Sequence, residues 1–541
     1  MEPVNTAELV AAGRTVPRDR RGLGGLAVLL LIAAYIGTLA FEYYFRVGGV
    51  RRHHLESAWM WLVAVCVLFT LTSRRPVAVR EQSRERWSPP PFTTLVVAVV
   101  VALAVYYPAL GLGFLSDDYT LADLAARNQF FGQSWSFLRP LPLLGYKAAG
   151  GHPAALHLFN VVLHGVNAAL VSRLAMVFGL APVQASAAGL LFLLFPAHLE
   201  AVAWCAGIQD VLMTTGVLGS ILAATVSGAA LSMAALIASL FSKETAVAAP
   251  VLMLLSNRQR WRVAACAFGV AGAYAVWRIA TRPLTEGYAA APSSYMLKEL
   301  LVRPFATLTV PFQAARLAEW PWLGTLLVGG LALLIVRAAW AWRGGRPRIW
   351  MACALALWVF VSVAPVYSMF DVSGTLEGSR YVYLPAAGWS MLIAALLMPA
   401  RSRRELGLVA AVCVIGLVGV RLNFVAWTSA ARMRDEVLSA AARAKAAGCT
   451  AIWIRNVPDA VHGAYVFRNG LAEAVAPVAL SSSAPPECWI SVPFSADPID
   501  VSLLVGGDQF ERKLLHVRAQ FPRHAGAIQD EVAATGPLDV G

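Results

Sequence analysis

Charge is what this sequence has least of. Lys, Arg, Asp and Glu make up 14% of its 541 residues, against 58% hydrophobic residues. A soluble domain carries roughly 25% charged residues, so the composition excludes an ordinary water-soluble fold and describes an α-helical polytopic membrane protein. Acidic residues are the scarcer sign: 31 Asp and Glu against 44 Lys and Arg leave a formal net charge of +13. That excess does not mark a nucleic-acid binder. The arginines sit in short loops between apolar runs, the pattern that sets membrane orientation, and no nucleic-acid partner is expected.

Metal and redox frameworks are missing too. The seven cysteines form no CxxC pair, and Cys66, Cys266, Cys353 and Cys413 lie inside apolar segments as small hydrophobes. Cys449 and Cys488 both fall in the less apolar tail, where a disulfide could form on an oxidising side of the membrane. His198 and Glu200 could be metal ligands, but no third ligand follows at a suitable spacing, so no metal site is predicted. No helical repeat of about 34 residues recurs along the chain. The first apolar run has no small-residue cleavage site after it, and it is expected to be a retained helix rather than a signal peptide.

What is present is a long series of apolar runs. Those near 23–41, 57–72, 92–110, 155–179, 183–198, 207–226, 228–242, 245–256, 263–280, 321–337, 349–369, 384–399 and 405–424 predict about thirteen membrane helices by length. Arg14, Arg18, Arg20 and Arg21 precede the first run and place that end in the cytoplasm. Alternation then puts Arg74, Arg75, Arg80, Arg84 and Arg86 on the same side, with Arg258, Arg260 and Arg262, then Arg343, Arg346 and Arg348, then Arg401, Arg403 and Arg404. Arg46, Arg51 and Arg52 in the first outer loop are the exception. Segments 111–154, 199–206, 281–320 and 370–383, and everything after about 425, then lie outside the cytoplasm. The expected organisation is an N-terminal cytoplasmic tail and extra hairpin (1–91), a membrane domain with an acidic first outer loop (92–425), and a small extracytoplasmic α/β domain (426–541). In that last part a helix over 428–447, a strand at 451–454, a helix near 461–476 and a strand at 500–505 are predicted.

Polar residues at the outer ends of these runs are the candidates for chemistry. Asp117 and Asp118 follow the third run, where a charge near the bilayer costs about 2.5–3.5 kcal/mol on insertion scales. They could serve a helix dipole, but Thr120 with Asp123 offers a capping pair for a helix starting at Leu121. That would leave the aspartates in the preceding turn, free to face a cavity. Arg139 closes the same loop before Pro140, where it could snorkel or hold a phosphate. His157, Asn160, His164 and Asn167 are spaced 3, 4 and 3, on one helix face. Interhelical hydrogen bonding accounts for the last three, and His157, nearest the outer surface, is the site candidate among them. His198 and Glu200, Asp210 as an intramembrane carboxylate, Lys243 with Glu244, and Arg380 between aromatics complete the set. Together they predict a polar cavity open to the outer leaflet.

The ordered motifs Phe114-Leu115-Ser116-Asp117-Asp118-Tyr119, His157-Leu158-Phe159-Asn160, Phe195-Pro196-Ala197-His198 through Glu200 to Trp204, Ser242-Lys243-Glu244 and Arg380-Tyr381-Val382-Tyr383-Leu384-Pro385 resemble the GT-C superfamily of polyprenyl-phosphate-sugar-dependent glycosyltransferases. Within it they look most like the transmembrane O-mannosyltransferases with tetratricopeptide repeats and their bacterial relatives. The resemblance covers roughly 92–425 and implies inverting transfer from a lipid-linked sugar donor to an extracytoplasmic acceptor, a protein hydroxyl, glycan or lipid. It implies Asp117 or Asp118 as general base, and location in a bacterial inner (plasma) membrane fits it. Lys243, Arg139 and Arg380 suit a donor phosphate. No cofactor is firmly implied, though a divalent cation could share the phosphate's charge. Two departures stand out: two extra runs precede the acidic loop, and the repeats are replaced by 428–541. A polytopic transporter or lipid flippase is the alternative, and a membrane scaffold for the tail a third.

Overall fold

A computed structural model of the chain describes residues 92–131, 139–226, 228–281, 304–305, 307–313, 346–366, 372–398, 403–446, 451–455, 459–475, 487–491 and 503–505. The runs expected at 23–41, 57–72 and 321–337, and the pairing of Cys449 with Cys488, lie outside the residues or side chains described.

The described part is mostly helical. Its helices are α1 (Phe92–Tyr106), α2 (Asp117–Ala126), α3 (Pro140–Ala148), α4 (Pro153–Val177), α5 (Pro182–Leu193), α6 (Leu199–Ala203) and α7 (Ile208–Val226). They continue as α8 (Ala229–Leu240), α9 (Ala249–Ser256), α10 (Trp261–Thr281), α11 (Arg346–Val363), α12 (Tyr383–Leu397), α13 (Arg403–Ala446) and α14 (Leu471–Val475). Pro140, Pro153 and Pro182 each open a helix, where the missing N–H costs nothing. Among the described residues six helices are long and apolar enough to cross a membrane, or seven if the pair Pro182–Leu193 and Pro196–Ala203, bent by 50°, counts as one span. This is a multi-pass membrane protein on that measure, although α8 and the 244–256 and 350–366 helices are shorter than a span.

Helix α4 is the centre of the bundle, packed against α1, α5 and α7. Two small residues let it in closely. A Cβ on Gly165 would meet the Val99 backbone of α1 at 2.7 Å, and one on Gly189 of α5 would meet the Ala168 carbonyl at 2.6 Å. Backbone approach of this kind is how membrane helices gain packing where the hydrophobic effect is absent.

The tail differs from expectation in two places. Helix α13 runs 44 residues without a break, so the helix expected over 428–447 is the continuation of the last apolar run. The helical pattern near 461–476 resolves into a hairpin, β2 (Ala460–Val461) with β3 (Ala464–Tyr465), and then α14. Gly463 and Gly470, at φ +84° and +80°, turn the chain there, which a continuous helix cannot do. Strand β1 (Ala451–Arg455) lies between β4 (Glu487–Ser491), parallel, and β5 (Leu503–Val505), antiparallel.

Candidate functional site

The acidic pair does not sit in a turn ahead of a helix, as the Thr120–Asp123 cap had suggested. Helix α2 begins at Asp117, with Ser116 as N-cap, so both aspartates occupy its first turn, where the helix dipole favours negative charge. Asp123 instead pairs with Arg127 one turn on, at 2.8 Å. Successive helical residues point about 100° apart, and this separates the two carboxyls. Asp118 is fully buried and accepts hydrogen bonds from the Leu115 N–H (2.9 Å), the Tyr146 hydroxyl (2.7 Å) and the Ala206 N–H (2.7 Å). Burial pushes its carboxyl up to about 8, against those three donors and with a small addition from the charge of Asp117. Asp117 is partly exposed. Its Oδ1 receives the Asn469 side-chain amide at 2.6 Å and lies 3.3 Å from the Ser116 hydroxyl, and its Oδ2 has no hydrogen-bond partner among the described residues.

The loop that carries the pair is held from three sides. Ser116 has φ +50°, a left-handed conformation that costs a non-glycine residue of order 1–3 kcal/mol and persists only when its surroundings enforce it. From α4, His157 Nε2 lies 3.1 Å from the Gly113 carbonyl. From α13, buried Arg434 donates to the Leu112 carbonyl and to that of Phe114 (2.9 Å). From the tail, the Val466 carbonyl accepts from the Ser116 N–H at 2.8 Å.

A second group is cationic. Arg139, at the start of α3, forms an ion pair with Glu244 at 2.8 Å and also donates to Gln209. Lys243 pairs with Asp210 at 2.5 Å. Arg380 pairs with Glu200, whose other oxygen accepts from the Ser379 hydroxyl and the Arg380 N–H, both at 3.2 Å. The Arg380 guanidinium lies 5.2, 5.1 and 5.6 Å from the ring centroids of Trp204, Tyr381 and Tyr465 and donates to the Tyr465 hydroxyl at 3.0 Å. The three cations share one neighbourhood. Burial brings Lys243 down to about 8; Asp210 opposes this, and the charges of Arg139 and Arg380 add to it. Trp204 joins the two groups: its indole N–H donates to the Leu115 carbonyl at 3.0 Å while its face carries Arg380.

The polar stripe of α4 faces inward and is fully buried. Asn160 donates to the Trp204 carbonyl (2.9 Å), Asn167 to the Val211 carbonyl (3.0 Å), and His164 Nε2 lies 3.0 Å from the Leu193 carbonyl. Leu193 and Trp204 bound the bend between α5, α6 and α7, where the helical ladder lapses and apolar surroundings demand another partner. His164 Nδ1 also lies 2.7 Å from the Tyr383 hydroxyl. His198 is enclosed by the rings of Phe192, Phe195, His164 and Tyr383, with centroids 4.4–5.3 Å away.

The structure therefore brings Asp117, Asp118, His157, Arg139, Glu200, Asp210, Lys243, Glu244 and Arg380 into one connected network and leaves His198 beneath it. Tyr146, Arg434, Tyr465 and Asn469 belong to that network and were not among the sequence candidates. The turn glycines Gly463 and Gly470 are the one sequence signal that brackets two of them. Among the described residues no group of three or more His, Cys, Asp or Glu could hold a metal ion.

Over 136 residues the chain is 35% identical to protein O-mannosyl-transferase Tmtc1 of Drosophila melanogaster, a stretch that is 20% of this chain and 15% of that relative. The chain thus spans about 15% of the length of the curated relative it matches. No protein-family model and no solved structure matches the chain.

Proposed function

We propose that the protein is a GT-C-type glycosyltransferase of a bacterial inner membrane. It transfers a sugar from a polyprenyl-phosphate donor to an extracytoplasmic hydroxyl with inversion, and Asp117 is the general base. The observation that carries this reading is the division of labour in the acidic pair. A carboxyl pushed up to about 8 and tied to three donors is mostly protonated at neutral pH and committed to structure. Its partly exposed neighbour keeps one oxygen without a partner among the described residues and is suited to take a proton. The partial likeness to an O-mannosyl-transferase supports the same reaction class.

In this reading Asp117 takes the proton of the acceptor hydroxyl as that oxygen bonds to the anomeric carbon. The bond from that carbon to the phosphate oxygen breaks on the opposite face, and its electron pair leaves with the polyprenyl phosphate. Arg139, Lys243 and Arg380 offset the charge that develops on the leaving phosphate, a term worth about 2.7–4 kcal/mol per well-placed donor in other enzymes. The carboxylate partners Glu244, Asp210 and Glu200 hold those cations in place before the donor arrives. The about thirteen spans and the extracytoplasmic placement of the site are part of the same proposal.

Transfer from a tritiated polyprenyl-phosphate sugar into acceptors of native membranes tests it. Wild-type protein transfers label and Asp117→Asn loses it by the 10²–10⁴-fold of a removed general base. Undiminished transfer by Asp117→Asn would refute the assignment.

A further inference from the structure

A carboxylate that must meet an acceptor hydroxyl has to be held to within about 0.5 Å of its working position. Helix α2 alone cannot do this for Asp117. It is ten residues long and starts from a strained serine. The constraint comes instead from the far end of the chain, more than 340 residues away in sequence.

Residues 459–475 lie across the acidic loop. The Asn469 side-chain amide donates to Asp117 Oδ1 at 2.6 Å, and the Asn469 N–H donates to the Ser116 hydroxyl at 3.2 Å. The Ser116 N–H returns a bond to the Val466 carbonyl at 2.8 Å. Phe467 stacks on Tyr119 with ring centroids 6.2 Å apart and planes 26° apart. Gly470 passes so close to the Ser116 carbonyl that a Cβ would collide with it. The segment is itself anchored: Arg468 pairs with Asp459 at 2.6 Å and Glu377 at 2.5 Å, and the Val466 N–H donates to the Asp459 carbonyl at 2.9 Å. Tyr465 packs on Trp204, centroids 4.9 Å apart, and accepts from Arg380. One short stretch thus touches Asp117 of the acidic pair and one of the three cations.

We propose that this tail segment is a working part of the catalytic centre and that Asn469 is the positioning residue of the general base, fixing the Asp117 carboxylate through its Oδ1 so that Oδ2 meets the acceptor. The inference rests on the reading of Asp117 as base. It makes the chain beyond α13 an element of the transfer step rather than an appended module.

The test uses the full-length protein in native membranes, with tritiated polyprenyl-phosphate mannose and, in parallel, other polyprenyl-phosphate hexoses as donors. Wild type, Asn469→Ala, Asn469→Gln, Asp117→Asn and the double variant Asp117→Asn/Asn469→Ala are compared. Asn469→Ala lowers kcat about ten- to hundredfold with donor KM within about threefold, Asn469→Gln restores part of the loss by keeping an amide donor, and the unfolding midpoint stays within a few degrees. The decisive result is the double variant. If Asn469 acts through the carboxylate, removing it from Asp117→Asn costs nothing further, whereas a purely structural role lowers the residual rate by the same factor again. Unchanged kcat in Asn469→Ala, or additive losses, overturns the inference while leaving Asp117 as base. If Asn469→Ala does not accumulate, Asn469→Ser takes its place in the same cycle. Transfer by Asp117→Asn at the wild-type rate, or no transfer by wild type from any donor, refutes the reading of the site and the inference with it.

Discussion

Asparagine at 117 and asparagine at 118 are expected to fail in different ways. Asp117→Asn removes the base, a loss of 10²–10⁴ in rate or about 2.7–5.4 kcal/mol of transition-state stabilisation. It keeps an oxygen for the Asn469 amide, so stability moves by no more than about 0.5 kcal/mol. Asp118→Asn is the reverse. The amide oxygen can serve Tyr146 and Ala206, which share Oδ1, but its NH2 then faces the Leu115 N–H. One buried donor is left unpaired, a cost of about 1–3 kcal/mol. Asp118→Ala strands all three and approaches the 5–15 kcal/mol that holds a whole domain.

The pH dependence adds a sign. Burial raises the Asp118 carboxyl from 3.8 to about 8, so the folded state binds its proton more tightly than the unfolded chain does. The stability this confers is complete below pH 3.8 and is lost as pH rises through 8; it is on the order of 5 kcal/mol across that window. Thermal unfolding of the full-length protein in detergent, followed by tryptophan fluorescence from about pH 5 to about pH 9, measures it. The wild-type midpoint falls relative to Asp118→Asn as pH rises, since the variant has nothing to titrate there. A pH-independent difference between the two would refute the burial argument. An Asp118→Asn protein as stable as wild type but as inactive as Asp117→Asn would show that the roles are reversed.

Three further outcomes are expected. Lys243, brought down to about 8 by burial, loses its charge as pH rises through that value, so donor KM increases about tenfold per pH unit above 8; a flat donor KM between about pH 7 and 9.5 would remove Lys243 from phosphate binding. Its stability contribution has the opposite sign to that of Asp118, complete above 10.5 and lost as pH falls through 8. Lys243→Met strands the Asp210 carboxylate and costs about 3–5 kcal/mol, while Lys243→Met with Asp210→Leu regains stability but not transfer. In that pair, recovery of transfer would make the ion pair purely structural. Gly113→Ala forces a side chain into a φ of +69° and against the Arg434 guanidinium; a loss of about 1–3 kcal/mol and of most transfer follows, and an unaltered enzyme would mean that Arg434 does not hold the loop.

Much of the membrane part was legible because periodicity and run length act locally. The 3, 4, 3 spacing of His157, Asn160, His164 and Asn167 put them on one face, and that face does turn inward: Asn160 and His164 meet carbonyls at the bend after α5, His157 that of Gly113 and Asn167 that of Val211. The helix start near Asp117 was misread because Thr120 and Asp123 satisfy a capping pattern that the loop, held by Val466 and Arg434, does not use. Tertiary contacts override a local cap worth about 1 kcal/mol. The same cause hid Tyr146, Arg434, Tyr465 and Asn469. Each acts on a residue far off in sequence, and no spacing rule registers a bond across 352 positions such as that of Asn469 to Asp117.

The pairing of every cation in the site with a carboxylate has a physical logic under the proposed reaction. Three unpaired cations beside an apolar bilayer would each carry a desolvation penalty of several kcal/mol, so Arg139, Lys243 and Arg380 are held in place by Glu244, Asp210 and Glu200 before any donor binds. The partners also temper the field felt by the phosphate. The donor phosphodiester carries one negative charge and the released monoester up to two, so bare cations would bind the product more tightly than the substrate and make its release slow. A neutralised cluster gives up some donor affinity and in return lets the lipid phosphate leave. On that account removing one carboxylate, as in Glu200→Gln, tightens product binding and lowers the steady-state rate while the first turnover stays fast, and an equal effect on both rates would refute the account.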